Sequence, residues 1–320
     1  MIAFFILRRL GAGILLLLVL SFVVFALLAI SPGSPIQTLI GTRPATPALI
    51  NSLEAQYHLR SPFLVQYWYW LSDAVRLNFG ESISVQTDSP VRTIIGQHMG
   101  ISLELAIYAF VLVLIFGIPL GMAAGIRRGR LTDRVVSLTS TIAISAPAFV
   151  MSILLLYIFG VALGWFPVYG VGTGFVQRVE HLTLPAVALA AFLAAIVIRQ
   201  TRAATLDVMH QDYIAFARIR GLSPWRVLLR YALRNSCLPV VTSAGLLLII
   251  ALSAAVIVEQ VFSLPGVGSL LLTAVTDKDI PVVQGIAMAL GAAVVVINLA
   301  VDLAALVLDP RTRVTVKGAV

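Results

Sequence analysis

Residues Arg199–Pro239 read RQTRAATLDVMHQDYIAFARIRGLSPWRVLLRYALRNSCLP. Seven arginines (Arg199, Arg202, Arg218, Arg220, Arg226, Arg230 and Arg234) stand here against Asp207 and Asp212, while the flanking segments 182–198 and 240–258 carry no charge. A basic segment between two uncharged apolar runs is the pattern of transmembrane helices joined on the cytoplasmic side. Its length and helical spacing exceed what a simple connection needs.

Composition carries the same reading to the whole chain. Of 320 residues, 60% are hydrophobic and 11% charged, with a mean hydropathy of +1.01, whereas an ordinary soluble domain has about 25% charged residues. Six long apolar segments cannot all be buried beneath so few charged side chains, so the expectation is an integral membrane protein. The net charge of +8 does not point to nucleic acid, because the basic residues flank apolar spans, where anionic lipid and the positive-inside rule account for them. One cysteine, Cys237, excludes an internal disulfide and a thiolate metal cluster.

Taken in order, the chain predicts an all-α polytopic protein with six transmembrane helices and both termini cytoplasmic. Residues 10–30 are long enough for a retained first span and exceed the core of a cleaved signal peptide. Residues 31–100 form a long outer region of balanced charge, and Tyr67, Trp68, Tyr69 and Trp70 within it read as an interfacial aromatic girdle or a ligand box, the girdle being favoured. Span two, 101–124, carries Glu104 near its outer end and Gly117, Gly121 and Gly125 at helical spacing for close packing. Span three, 136–163, is interrupted at Pro147, either to open a pathway or as a packing kink. Span four covers 182–198, span five 238–262 with Glu259 near its outer end, and span six 284–307. The expected division is 1–100 (first helix and outer loop), 101–307 (a five-helix core containing the 199–239 loop) and a cytoplasmic tail, 308–320. With this topology 16 of the 22 lysines and arginines are cytoplasmic: two before span one, four after span two, seven in the opening stretch and three in the tail.

The opening stretch itself reads as two short amphipathic helices. Residues 212–221 suit a helix stopped at Gly221, Ser223 is a cap candidate and Pro224 suits a first turn. In the second helix Trp225, Leu228, Leu229 and Ala232 are expected on an apolar side, and Arg226, Arg230 and Arg234 on another. Such a body docks a soluble partner, lies in the headgroups, or merely connects two spans.

At this point the residues resemble a known family, the permease subunits of binding-protein-dependent ABC importers, in the dipeptide/oligopeptide branch that also serves nickel and glutathione. Ala217, Gly221 and Leu238-Pro239 match the cytoplasmic signature loop. Its usual Glu-Ala-Ala opening is replaced by Ala215, Phe216 and Ala217. The first span with its SPG-P continuation, the run PFLVQYWYWLSDAVRLNFGESI and the motif EQVFSLPGVGSLL (259–272) resemble the subunit with the long first outer loop.

The resemblance implies a type I ABC importer permease fold in the bacterial or archaeal cytoplasmic (inner) membrane. It implies half of a translocation pathway, completed by a homologous second permease subunit. Two ATPase subunits and an extracytoplasmic solute-binding protein complete the machine, and membrane lipid surrounds it. The ATPase-coupling residues it implies are Ala217, Arg218, Arg220, Gly221, Leu222, Ser223, Pro224, Trp225 and Arg226. Glu259, Pro147 and Glu104 are candidates for the pathway or its gate. No Walker A sequence occurs, so the chain is expected to bind no cofactor and to be no enzyme, with ATP and Mg held by the partner ATPases. His58, His98, His181 and His210 are dispersed and give no metal-ligand spacing. Nickel, glutathione or heme import by the same architecture, and ion-coupled secondary transport, are the alternatives.

Overall fold

A computed structural model describes residues 2–30, 36, 40 and 46–308. The SPG-P segment, Arg43 and the tail with Arg311, Arg313 and Lys317 lie outside the described residues. Among the described residues the chain is helical, apart from one isolated antiparallel bridge between Glu81 and Pro90. The helices are α1 (Ile2–Ile30), α2 (Pro47–Gln56), α3 (Phe63–Val75), α4 (Val91–Ile126), α5 (Leu131–Ser145), α6 (Ala148–Ala162), α7 (Gly174–Met209), α8 (Asp212–Ile219), α9 (residues 224–236), α10 (Leu238–Val261), α11 (Val267–Thr276) and α12 (Ile280–Leu308). Wider π-helical turns interrupt α4 at Val113–Gly117, α6 at Leu156–Ala162 and α9 at Leu228–Leu233.

Five helices, α1, α4, α7, α10 and α12, contain apolar stretches of 21 to 36 residues, and about 20 residues cross the hydrocarbon core. Helices α5 and α6 meet the same test only as a pair, bent by 105°. The bend follows from Pro147. A residue before proline is pushed out of the α region, and Ala146 has ψ 120° and Pro147 ψ 141° between the two helices.

The observed helices run past the ends that hydropathy suggests. Helix α7 begins eight residues before 182 and continues eleven beyond 198, because Gln177, Arg178 and Glu180 at one end and 199–209 at the other are polar without being helix-breaking. The first part of the opening stretch is therefore a continuation of a span's helix and not a loop.

By compactness the chain divides into two units, one of Met1–Ile101 and Pro265–Leu299 and one of Ser102–Leu264 and Ala300–Val320. In the first unit α3 lays part of its aromatic run against α1. Phe25 meets Phe63, Tyr67 and Trp70 at ring separations of 5.4 to 5.6 Å, and the Tyr67 and Ser21 hydroxyls are hydrogen-bonded at 2.8 Å. Trp68 and Tyr69 are exposed, so the run divides between a packed side and an outward side. A core of Val91, Ile94, Ile95, Val267, Leu270, Ala274, Val282 and Ile286 joins the start of α4 to α11 and α12. Gly285 permits this approach, since a Cβ there would stand 2.6 Å from Val91.

One polar centre in this unit went unnoticed in the sequence. Asp279, fully buried immediately before α12, accepts hydrogen bonds at one carboxylate oxygen from Ser82 Oγ (2.6 Å) and from the backbone N–H groups of Ile83 (2.9 Å), Ser84 (2.9 Å) and Val85 (3.1 Å). Successive N–H groups turned toward one point form a concave anion nest. Here a side chain of the same chain fills it.

In the second unit α4 and α7 run parallel. Tyr108 meets Thr183 at 3.1 Å. Further along, Cβ atoms added at Gly117, Gly121 and Gly125 would stand 2.9 Å from Val197, 2.7 Å from Ile198 O and 2.8 Å from Thr205. The small-residue face expected to receive a helix receives α7. Helix α10 runs the other way, with Ser243 donating to Gln200 near its start (2.9 Å) and Glu259 accepting from Ser102 near its end (2.6 Å).

Candidate functional site

The chain turns sharply between α8 and α9, and sequence determines that turn. Helix α8 ends in a paired C-terminal closure: Leu222 N–H reaches Ala217 O at 3.2 Å and Gly221 N–H reaches Arg218 O at 2.9 Å. This closure needs a left-handed residue at its hinge, and Gly221 has φ +72°. A Cβ at Gly221 would meet nothing within 4 Å, so the requirement for glycine is conformational and not steric. Ser223 occupies the cap position of α9, but no side-chain capping bond forms. Its carbonyl accepts from Arg226 N and Val227 N at 2.9 and 3.1 Å, and Pro224 follows at the first helical position.

The two helices share a small core. Ile214, Ala217 and Val227 are buried, with Val208, Met209, Leu222 and Tyr231 packed around them. Asn235 Nδ2 donates to Tyr213 OH at 3.3 Å across the pair. Ala217 therefore braces α8 from within.

The residues expected on the apolar side of α9 differ in burial. Val227, Ala232 and Ser236 are the buried positions, whereas Trp225 and Leu229 are exposed and Leu228 is half-buried. The cause is the π-helical segment Leu228–Leu233, whose wider turn brings residues five apart onto one face and so pairs Val227 with Ala232.

What the pair presents outward is distinctive. Phe216, Ile219 and Trp225 are 65%, 81% and 71% exposed, and Arg218, Arg220, Arg226, Arg230 and Arg234 are exposed around them. A hollow of about 390 Å³ beside Trp225 is lined by Met209, Arg218, Leu222 and Pro224 among others. Large exposed apolar side chains interspersed with arginines along a braced helix pair make a surface suited to an acidic, partly apolar cleft.

The other candidates lie apart from this surface. Glu259 is fully buried and held by Ser102. Glu104 is half-exposed beside Arg178, Nε to Oε2 2.7 Å, as an ion contact without hydrogen-bond alignment. Pro147 occupies the α5–α6 bend. A wide groove of about 610 Å³ between α7 and α10 is lined by Gln200, Asp207, Thr242 and Ser243 together with small and apolar residues. The sequence reading missed it because these polar residues are spread over two helices.

Near the end of α7 lies a second feature missed by sequence. Arg202 of α7 makes a bidentate pair with Asp133 of α5, Nε to Oδ1 2.6 Å and Nη2 to Oδ2 3.0 Å. Gly129 N–H donates to the same carboxylate at 2.8 Å. Asp133 stood out only as the lone acid among Arg127, Arg128, Arg130 and Arg134. Burial pushes the Cys237 thiol pKa up, which suits a packing position at the start of α10. Among the described residues no three His, Cys, Asp or Glu side chains converge as a metal set.

The long apolar helices define an all-α polytopic membrane protein. The chain belongs to the family described as the binding-protein-dependent transport system inner membrane component, which matches residues 117–314, and the N-terminal region of such membrane components matches residues 1–90. It is 36% identical over 315 residues to a putative peptide permease protein of Brucella ovis, covering 97% of this chain and 98% of the relative. A probable peptide ABC transporter permease protein of Sinorhizobium fredii is 33% identical over 312 residues, with 97% and 99% covered. The dipeptide transport system permease protein of Bacillus subtilis is 33% identical over 314 residues, with 98% and 99% covered. The chain is thus an ABC transporter permease, of a family whose members carry solutes and do not catalyse reactions.

Proposed function

We propose that the chain is one permease subunit of an ATP-driven peptide importer of the dipeptide/oligopeptide type, forming half of its translocation pathway with a homologous second permease. Two ATPase subunits dock on the cytoplasmic side and a solute-binding protein delivers peptide from outside. The observation that carries the reading is the exposure of Phe216, Ile219 and Trp225 together with that of Arg218, Arg220, Arg226, Arg230 and Arg234 on the α8–α9 pair. The peptide cargo is supported by the printed functions of the relatives.

The topology of this reading has six crossings and cytoplasmic termini. Helices α4 and α7 run the same way, so the chain between them must return across the bilayer, which supports α5–α6 as a broken span and not a re-entrant hairpin. The basic loop after α4 and the basic α8–α9 pair then fall on one side, as the positive-inside rule demands.

Coupling in this reading is mechanical. The α8–α9 pair is braced by its own core and continuous with the 36-residue α7, so displacement of the docked pair by ATP-driven closure of the ATPases tilts α7 and with it the α7–α10 groove. ATP shifts the population between outward-open and inward-open states because the ATPases bind the pair differently in each. Ala217, Gly221, Leu222 and Pro224 hold the shape of the lever, and Arg218, Arg220, Arg226 and Trp225 meet the partner. Ser223 supplies the turn. Glu259 and Glu104 act near the outer end of the core, and Pro147 lets α5–α6 flex.

The test is co-purification. Losing a buried aromatic anchor costs an interface about 2 kcal/mol or more, about thirtyfold in affinity. Phe216→Glu and Trp225→Glu are each expected to strip the ATPases from the detergent-solubilised complex while the second permease stays bound. Retention of the ATPases in both variants at wild-type stoichiometry would remove the α8–α9 pair from the interface.

A further inference from the structure

The first unit holds a hollow of about 520 Å³ that the translocation reading does not use. Its wall is apolar: Ile14 and Leu18 of α1, Ala74 of α3, Met99 of α4, and Met288 and Ala292 of α12. Three of these four helices are long and apolar enough to cross a membrane. Where α4 starts, Val91 packs on Gly285, and from Gly285 to Ala292 α12 advances about 10 Å, so the hollow descends beside the spans into the hydrocarbon layer. Ile14 and Leu18 are exposed, which leaves it open to the bilayer on that side. Water does not fill an apolar hollow, and an unfilled one forfeits dispersion contacts along its wall. What the bilayer supplies to fill it is an acyl chain.

Two further lining residues identify the molecule that carries the chain. Arg92 is the single charged residue among the described residues of the lining. It is exposed, and among the described residues its guanidinium forms no ion pair or hydrogen bond. An arginine beside hydrocarbon lays its stem on the apolar surface and keeps its guanidinium in the headgroup layer, where phosphate is the matching anion. Leu77 closes α3: its N–H reaches Ala74 O and the Asn78 N–H reaches Asp73 O, both at 2.9 Å. That closure puts Leu77 at φ +59°, a position that glycine or asparagine ordinarily fills. Yet the residue is leucine, 64% exposed and lining the hollow. A bulky side chain in a strained conformation, left uncovered, is an outlier on a surface that faces water and suits one that faces lipid.

We propose that the hollow binds an acyl chain of a membrane phospholipid whose phosphate is held by Arg92, on the side of the bilayer where α4 begins. Leu77, Phe79 and Arg92 also line a second, more polar cavity of about 550 Å³, so the residues that border the chain also border room for a headgroup. Only the span assignment is needed for this site, and the nature of the cargo does not enter. A lipid held there fastens the end of α3 to the three spans around it.

The experiment uses the complex of both permeases and the ATPases in liposomes that contain phosphatidylglycerol with a photoactivatable diazirine on one acyl chain. The cross-linked residues are mapped by mass spectrometry. Labelling is expected to concentrate at residues 95–99 and 288–292, above the level at Ile107 and Ile115, which are exposed on α4 outside the hollow. Excess unlabelled phosphatidylglycerol competes it away, whereas diacylglycerol, which lacks the phosphate, does so about tenfold less well, the scale of a hydrogen bond to a charged group. Gly96 lines the hollow, and a Cβ there meets nothing within 4 Å. Gly96→Leu therefore fills the space and replaces glycine by a better helix former. It should lose most of the labelling while melting no lower than wild type in detergent. Arg92→Gln should abolish the difference between the two competitors. Labelling at Ile107 and Ile115 as strong as in the hollow would overturn the site and leave only the general lipid boundary, as would undiminished labelling in Gly96→Leu. Should that variant not fold, Arg92→Gln decides, and an unchanged preference for phosphatidylglycerol over diacylglycerol overturns the proposal. Labelling of the isolated chain that disappears in the complex overturns it too, giving the hollow to the second permease.

Discussion

Asp279→Ala is expected to unfasten the segment that precedes α4. The carboxylate oxygen of Asp279 gathers a hydroxyl and three consecutive backbone N–H groups from residues 82–85, nearly two hundred positions away in the chain. Its other oxygen lies 3.4 Å from Val282 N in the first turn of α12, where a negative charge is also favoured by the helix N-terminus. Alanine leaves these buried donors without an acceptor, at about 1–3 kcal/mol for each that water cannot reach. A loss of about 3 kcal/mol or more follows, and with it faster proteolysis at Arg76 and Arg92 than in wild type. Asp279→Asn keeps an acceptor oxygen but no charge, and falls between the two. Wild-type melting and wild-type proteolysis in Asp279→Ala would show that the nest does not hold the segment.

Arg202→Leu is expected to be the most damaging single change in the second unit. It leaves the Asp133 carboxylate, 7% exposed at the side chain, with only Gly129 N–H and Ser137 Oγ as partners. The Arg202 side chain is 31% exposed, so the pair is only partly sheltered: leaving the carboxylate without its bidentate partner costs about 1–3 kcal/mol, whereas replacing both with apolar groups removes that penalty. The double variant Asp133→Leu/Arg202→Leu should therefore melt above the single variant Arg202→Leu. A double variant no more stable than the single would mean that the residues do not act as a pair. The pair ties the start of α5 to α7 just ahead of α8, so the single variant should also lose ATP-dependent uptake, because the lever then lacks a fixed root.

How much of this was legible in the sequence depended on the range of the interaction concerned. Apolar runs of span length need no partner to be recognised, and the five long helices were found, with the expected interruption at Pro147 falling where α5 and α6 meet. Gly221 and Pro224 were legible for the same local reason: one must reach positive φ and the other suits a first helical turn. The glycine face of α4 was readable as a close approach, though not as an approach to α7. Helix ends were misjudged because hydropathy ends where charge begins and helix propensity does not, as 199–209 demonstrates. Which residues of α9 pack inward was not legible, because the π-helical turn at Leu228–Leu233 puts Val227 and Ala232 on one face. Asp279 and Asp133 were invisible as a nest and a bidentate pair, since each depends on residues that only the fold brings near.

The central claim is that ATP hydrolysed by separate subunits drives peptide through a pathway of which this chain forms half. The most direct measurement is uptake of a labelled dipeptide into proteoliposomes, with the binding protein outside and ATP sealed inside. It compares the four-subunit complex with the isolated chain under an imposed proton gradient. The account predicts accumulation by the complex only with hydrolysable ATP, lost in Trp225→Glu, and none by the isolated chain. Accumulation by the isolated chain along the proton gradient, without ATPase subunits, would contradict it.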